Sequence, residues 1–215
     1  MASANFRITS IESWRFVMDN KFIRHGSRLA RWHDHVNHVQ APRQMQHWLT
    51  DPASLTAKLI AHSTRFRVQR VFQRSEICWV DEYATIGLPR PGMAHTREVL
   101  LRCDEQAAVF AHTVLPLHAN ASQWPLFRSL GNRSLGSTLF GDPQVVRGAM
   151  QYARLHANHP AMRRVQELTG SAIEPTDLPP CDPVLFARRS LFYRRGGVML
   201  VTELFLPNVA RLTNP

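Results

Sequence analysis

The chain has 215 residues, of which 44% are hydrophobic and 20% charged, a composition typical of a soluble globular protein with one packed core. It has no apolar run near the roughly 18 residues that a membrane span needs, and its N-terminus lacks the apolar segment of a secretory signal. We therefore expect a cytoplasmic protein. The net charge of +10 suits nucleic acid or a small anionic substrate, but the basic residues are scattered, so we predict no nucleic-acid partner.

The residues that could hold metals or cofactors show no matching spacing. The cysteines are far apart and form no CxxC pair, so we expect buried thiols rather than a zinc or redox site (Cys78, Cys103, Cys181). Three neighbouring histidines do not share one helix face, which favours a solvated surface helix (His33, His35, His38). With no Gly-rich phosphate loop and no Rossmann fingerprint, we predict no metal and no cofactor.

The N-terminal part of the chain predicts helices. A weak helical pattern covers 27–39, within an N-terminal extension (1–45) whose role we leave open. Two short helices follow in 44–62: the first ends at Trp48-Leu49, and Ser54 can cap the second.

From residue 66 onward the patterns favour strands. Alternating or β-branched segments lie at 66–72 and 77–86, and two hairpins are predicted, at 97–103 with 107–116 and at 186–195 with 198–207 around a Gly196-Gly197 turn. A helix interrupted by Pro160 is predicted over 143–170, and four prolines predict a loop at 174–183, both within an insertion that covers 142–185. The order of elements indicates an α+β fold, which we treat as a single domain over 1–215.

Strand alternation singles out two charged residues. Arg97 shares a strand face with Val99 and Leu101, and Glu203 is the one charge in the apolar strand 198–207. Since an unpaired buried ion costs several kcal/mol, two explanations remain open. Arg97 and Glu203 either pair with each other or with other core groups, or they form a polar site in an apolar cavity, suited to a small ring with a carboxylate. The arginines flanking the last hairpin are expected to be exposed (Arg188, Arg189, Arg194, Arg195).

Five segments, in order, resemble the motifs of bacterial chorismate lyases. They are WLTDPASLTAKL (48–59), REVLL (97–101), HTVLP (112–116), LGNRSLGSTLF (130–140) and TELFLP (202–207). The resemblance implies an antiparallel sheet flanked by helices, with an internal ligand cavity covered by helical flaps. It also implies the cofactor-free cleavage of chorismate to 4-hydroxybenzoate and pyruvate, the first step of ubiquinone biosynthesis.

The same resemblance implies the site residues. Arg97 matches the arginine that holds the ring carboxylate, and Glu203 matches the carboxyl that contacts the oxygen at the opposite end, at the bond to be cleaved. Leu55 and Leu135 match positions whose main-chain amides reach the ligand. The two charged residues would be catalytic as well as substrate-binding, because a planar guanidinium clamps a carboxylate and a protonated Glu203 can donate a hydrogen bond. The protein is expected to be a monomer.

His112 departs from the family pattern, which has arginine at this position. His112 either lies at the substrate entrance or only packs against Phe110 and Val114. Two other functions remain open: a small-molecule-sensing domain of the same fold, as in some transcription regulators, and a lyase or inactive paralogue for a different chorismate-like ligand.

Overall fold

A six-stranded antiparallel sheet forms the centre of the computed structural model, which describes residues 29–119, 121–170 and 184–212. The strands lie in the order β1-β2-β3-β6-β5-β4, and every neighbouring pair is antiparallel. Their bounds are Phe66–Ile77 (β1), Met93–Cys103 (β2), Gln106–Pro116 (β3), Val146–His156 (β4), Val184–Arg194 (β5) and Gly197–Phe205 (β6). This arrangement confirms the predicted α+β class with an antiparallel sheet.

Helices cover both faces of this sheet. They are Arg43–Leu49 (α1), Leu55–Ala61 (α2), Leu135–Gly141 (α3) and Pro160–Thr169 (α4), with 3-10 turns at Val36–Val39, Phe127–Ser129 and Pro207–Arg211. Apolar residues of α1, α2 and α3 pack on the face that carries Val99, Leu101 and Val201. Helix α4 packs on the opposite face, against Leu100 and Leu204. Both faces of the central strands are therefore buried, as their apolar composition requires.

The two hairpins are confirmed, and both close on tight turns. Asp104 and Glu105 have positive φ angles of 48° and 66°, and Arg195 and Gly196 have 48° and 74°, the backbone that a two-residue type I′ turn needs. The second turn lies one residue before the predicted Gly196-Gly197 position, since Arg194 pairs with Gly197. The short helices of 44–62 are also confirmed, and the Ser54 side chain accepts a hydrogen bond from the Ala57 amide.

Two predicted elements are wrong. The 77–86 segment forms consecutive turns after Ile77 instead of a strand, because Asp81 contacts His159 at the start of α4 and Glu82 contacts His112 of β3. Residues 146–156 form β4, which pairs with β5, and not the helix predicted over 143–170. Pro160 begins α4 rather than interrupting a helix, since the first helical residue needs no amide hydrogen.

The N-terminal segment forms less helix than its pattern predicts. In the described part of 27–39, His33 pairs with Tyr152 in an isolated bridge, and only Val36–Val39 is helical. Val36 and Val39 are buried in the core, so this part of the extension is structural. The rest of that extension (1–28), the predicted loop at 174–183 and Cys181 lie outside the described residues. Cys78 and Cys103 are buried free thiols, and within the described residues no helix is long and apolar enough to cross a membrane.

Candidate active site

A cavity lies between the sheet and the helices α2 and α3. Its floor is formed by apolar and small side chains of β2, β3 and β6, and its cover by the first turns of α2 and α3. Four charged side chains reach it, all from the sheet: Arg97, Arg147, Arg188 and Glu203. The other lining residues are Leu55, Thr56, Val68, Val99, Leu101, Ala111, Thr113, Ser134, Leu135, Gly136, Leu139, Phe140, Phe192 and Val201. The predicted internal cavity covered by helices is therefore present.

Arg97 is the charged residue at the β2 end of this cavity. It is only 1% exposed, and its Nη2 donates hydrogen bonds to the carbonyls of Gly131 (3.1 Å) and Arg133 (2.9 Å). Its Nε is buried without a hydrogen-bond partner among the described residues, and no carboxylate there forms a salt bridge with it. Burial, aided by the positive charge of Arg70, lowers the pKa of Arg97 to about 10. The guanidinium is thus charged at neutral pH and lacks the anion that a buried cation normally requires.

Glu203 lies across the cavity from Arg97 and has a cation of its own. Because β2 and β6 flank β3, with Arg97 opposite Thr113 and Glu203 opposite Ala111, the two backbones are separated diagonally by roughly 12 Å. Arg188 is directly opposite Glu203 on β5, and its Nε donates to Glu203 Oε2 at 2.6 Å. Arg97 and Glu203 do not pair with each other; Glu203 pairs with another core group, Arg188, which is one of the alternatives that strand alternation leaves open.

Arg188 fixes the orientation of Glu203 from a rigid position. It is 1% exposed, and its Nη1 donates to three carbonyls at the end of α1 and just after it, those of Trp48, Leu49 and Asp51. An ionised carboxylate is the species that accepts a charge-assisted hydrogen bond from a guanidinium. Glu203 Oε2 is the acceptor in this pair, and a hydrogen bond from Glu203 to a ligand stays a prediction.

Leu55 and Leu135 begin the two helices that cover the cavity. Each is the first residue of its helix, where the amide N–H has no acceptor within the helix. Both residues line the cavity, and the contact of their amides with a ligand stays a prediction. The two helices are linked directly above the cavity by a hydrogen bond of 2.6 Å between Thr56 Oγ1 and Ser134 Oγ.

Gly136 allows α2 and α3 to approach this closely. A Cβ atom at Gly136 would lie 2.9 Å from Thr56 Oγ1 and 3.3 Å from Ser54 Oγ. A larger residue would displace the hydroxyl that links the two helices, so the Ser-Leu-Gly sequence of 134–136 serves the contact between them.

His112 does not line the cavity. It pairs with Glu98 across the sheet, so its side chain lies on the face opposite Arg97. The imidazole is 2% exposed, lies 3.2 Å from Glu98 Oε1 and 3.3 Å from Glu82 Oε1, and stacks on Trp79 with ring centroids 3.7 Å apart. Neither the entrance role nor simple packing on Phe110 and Val114 describes this position.

The His112 pair belongs to a buried polar network. Glu98 also accepts from Arg164 of α4 at 2.7 Å, and Asp81 lies 3.3 Å from His159. Burial alone lowers the pKa of His112, but the carboxylates of Glu82 and Glu98 outweigh it and raise the pKa to about 9. The network attaches α4 and the turns after β1 to the far face of the sheet, away from the cavity.

Two arginines of the cavity were not predicted as site residues. Arg188 was expected to be exposed and is buried; the same correction applies to Arg189, which donates to the Asp81 carbonyl and to Gln151. Strand alternation carried a signal for Arg188, because it shares a face with Phe186 and Phe192. Arg147 carried no such signal, since its strand was predicted to be helical.

The fold is an α+β domain with a cavity between a sheet and two covering helices, and three arginines and one glutamate line this cavity. The family model described as "Chorismate lyase" matches residues 28–212. The chain is 43% identical over 187 residues to the "Probable chorismate pyruvate-lyase" of Cupriavidus metallidurans, in an alignment that covers 86% of this chain and 84% of the relative. It is 47% identical over 174 residues to the protein of the same name from Cupriavidus pinatubonensis, covering 81% and 85%. The chain belongs to the chorismate lyase family.

Among solved structures, the effector domain of PhnF from Mycobacterium smegmatis is similar, with a TM-score of 0.48 and 15% identity over 73% of this chain and 90% of that chain. Likeness at this level says nothing about the ligand. Among the residues that the structure describes, no three histidine, cysteine or acidic side chains are grouped to hold a metal ion.

Proposed function

We propose that this protein cleaves chorismate to 4-hydroxybenzoate and pyruvate, as the first step of ubiquinone biosynthesis in the cytoplasm, and that it acts as a monomer. Membership of the chorismate lyase family supports the reaction. The observation that carries it is Arg97, a buried guanidinium with an unused Nε and no salt bridge to a carboxylate among the described residues, facing an apolar cavity. A benzoate-type carboxylate supplies the missing anion.

The proposed reaction needs positioning and charge stabilisation more than an added reagent. The ether bond between the ring and the enolpyruvyl oxygen breaks, a ring hydrogen moves to the enol methylene, and the former ether oxygen becomes the ketone of pyruvate. The ring becomes aromatic, which drives the step. The step is balanced and needs no oxidant or reductant. The protein must exclude water, hold the reactive conformer and stabilise negative charge that develops on the ether oxygen.

Three of the four charged residues of the cavity have a place in this scheme. Arg97 clamps the ring carboxylate through its planar guanidinium. Glu203, held by Arg188, accepts a hydrogen bond from the ring hydroxyl at the opposite end and fixes the ring against the apolar floor. The positive charge of Arg188 lies beside the same end, where the ether bond is cleaved. Leu55 and Leu135 contribute main-chain amides and, through their side chains, exclude water from the covered cavity.

The test is to incubate the purified protein with chorismate, without added metal or cofactor, and to measure 4-hydroxybenzoate and pyruvate together. Equal amounts of both products, formed faster than in the absence of protein, are expected. Tight binding of 4-hydroxybenzoate without turnover would overturn the lyase proposal and favour a sensing domain. Turnover that yields pyruvate with a different aromatic acid would instead indicate a lyase for another chorismate-like product.

A further inference from the structure

The proposed substrate and its aromatic product differ by one carboxylate. Chorismate has a carboxylate on the ring and another on the enolpyruvyl group, whereas 4-hydroxybenzoate retains only the ring carboxylate. A carboxylate transferred into an apolar cavity without a cation or hydrogen-bond donors is strongly disfavoured. If Arg97 holds the ring carboxylate, a second cation must lie at the other end of the cavity.

Arg147 is a cation at that end. It lies on β4, and the strand order puts β3, β6 and β5 between it and Arg97 on β2. Its Nε donates to Ser190 Oγ at 3.0 Å and its Nη1 to the Pro52 carbonyl at 3.0 Å, both neutral acceptors. Among the described residues, no carboxylate forms a salt bridge with Arg147, and its Nη2 makes no hydrogen bond with any of them.

Arg188 lines the same end, but its charge is already paired with Glu203 at 2.6 Å, and its Nη1 donates to three backbone carbonyls. Arg147 has no carboxylate partner among the described residues, so its charge is available to an anion. Its contacts with Ser190 and Pro52 hold it in place, as a binding group should be held. Burial lowers the pKa of Arg147, and so does the nearby charge of Arg188, whereas the charges of Glu203 and Asp51 act in the opposite direction. An added anion would relieve the repulsion between the two guanidinium groups.

The charges of the cavity match a dianion. Three arginines and one glutamate reach it, which leaves a net charge of +2 with Glu203 ionised. Chorismate carries −2 at neutral pH and would neutralise the cavity, whereas 4-hydroxybenzoate neutralises half of it. The lining is thus better matched to the substrate than to the aromatic product.

We infer that Arg147 binds the enolpyruvyl carboxylate of the substrate, an assignment that rests on the proposed function. The guanidinium holds the leaving group and adds positive charge near the ether oxygen. The aromatic product has no group that Arg147 could bind. Arg147 therefore contributes to the binding of the substrate but not of this product, whereas Arg97 contributes to both.

The test compares two ligands in three variants. Arg147→Met removes the charge and keeps the length of the side chain, Arg147→Lys keeps the charge without the fork of donors, and Arg154→Met is the control, an exposed arginine on the same strand. The measurements are KM and kcat for chorismate, the Kd of 4-hydroxybenzoate by calorimetry, and the thermal unfolding midpoint. In Arg147→Met the KM should rise about 10- to 100-fold, the loss expected for a charge-assisted contact, while the Kd of 4-hydroxybenzoate stays within about threefold. Arg147→Lys should be intermediate and Arg154→Met unchanged.

Two results would overturn the inference. An unchanged KM in Arg147→Met would show that Arg147 does not contact the substrate. An equal loss for both ligands would show a structural role through Ser190 and Pro52. If the wild-type protein converts no chorismate, the proposed function fails, and the same comparison is made on the Kd of chorismate. A loss confined to chorismate then still supports the inference, and no loss, an equal loss or no chorismate binding in the wild type overturns it.

Discussion

Arg97 combines full burial with the lack of a salt bridge among the described residues. Replacing it with Ala should raise the Kd of 4-hydroxybenzoate about 100-fold, because a charge-assisted contact to the carboxylate is lost. Calorimetric titration measures this effect. Arg102→Ala is the matched control, since Arg102 lies on the same strand and instead pairs with Gln69 and the Glu105 carbonyl. Equal affinity in the wild type and Arg97→Ala would show that the carboxylate binds elsewhere.

Glu203 is tested by a change that keeps its shape and removes its charge. In Glu203→Gln, kcat for chorismate should fall by about 100-fold, because the ring hydroxyl loses its anionic acceptor beside the bond that breaks. The Kd of 4-hydroxybenzoate should change much less, as Arg97 remains. The exposed hairpin residue Glu105 provides the control variant Glu105→Gln. Wild-type kcat in Glu203→Gln would remove this carboxylate from the chemistry.

At the scale of residues, sequence reasoning located the two charges but not their partners. Strand alternation put Arg97 and Glu203 on buried faces, and both line the cavity. The missing partner, Arg188, follows from the register of the last hairpin. With the turn at Gly196-Gly197, Ser190 would lie opposite Glu203; the true turn, one residue earlier, brings Arg188 there. The first residue of this turn is Arg195, which has a left-handed φ of 48°. This conformation is uncommon for a residue other than glycine, so the sequence does not indicate it.

At the scale of elements, the contact between α2 and α3 determines how firmly the cavity is covered. Ser134→Ala removes the hydrogen bond to Thr56 but costs no helix cap, since the Ser134 side chain makes no capping bond to α3. We expect 4-hydroxybenzoate to dissociate roughly three- to tenfold faster, the effect of one neutral hydrogen bond on the covered state. Stopped-flow measurement of ligand release provides the readout.

A second serine on α3 supplies the comparison for this prediction. Ser137 is exposed and bonds only to the Ser134 carbonyl of its own helix, so Ser137→Ala should leave the dissociation rate unchanged. Identical rates in Ser134→Ala and Ser137→Ala would show that the link between the helices does not retain the ligand.

The elements that sequence reasoning found are those whose signals are local. In the hairpin β2-β3, the alternation of apolar and polar residues and the turn residues lie within one short segment. The capping signal before α2 is a single residue, Ser54. The two errors concern segments whose structure depends on distant partners. Residues 146–156 become a strand because β5 offers an edge to pair with, and the 77–86 segment turns because Asp81 and Glu82 reach His159 and His112. Such partners override local propensity and cannot be read from a single segment.

At the scale of the whole molecule, the sheet divides its charged residues between two tasks. Neighbouring positions on β2 show the division, since Arg97 faces the cavity and Glu98 faces the His112 network. Part of the positive charge counted in the sequence is therefore internal. The buried guanidinium groups of Arg97, Arg188 and Arg189 donate to backbone carbonyls of neighbouring segments instead of lying at the surface.

The His112 network should make the stability of the fold dependent on pH. The folded pKa of about 9 lies above the ordinary value of 6.5, so protonated His112 contributes stability that is fully present below pH 6.5 and is lost as pH rises through 9. In His112→Gln this loss should disappear, and the free energy of unfolding at pH 6.5 should be lower by about 3 kcal/mol, because Glu82 stays buried without a cation and Glu98 keeps only Arg164. Urea unfolding from pH 6 to 9.5 measures both effects.

An exposed histidine provides the reference for that measurement. His118→Gln should retain the slope of the wild type, since His118 lies on the surface after β3. A slope that persists in His112→Gln would assign the pH dependence to other groups.

The carbonyls that hold Arg97 belong to the segment leading into α3, one of the two helices that cover the cavity. The proposed binding of the ligand and the position of this helix thus depend on one guanidinium. If the segment moved away from the sheet, Arg97 would lose two hydrogen-bond acceptors. If the carboxylate left at the same moment, Arg97 would lose a third. The affinity for the ligand and its residence time therefore depend on the same side chain. A substitution that raises the affinity will also lengthen the residence time, which limits how fast such a cavity can turn over.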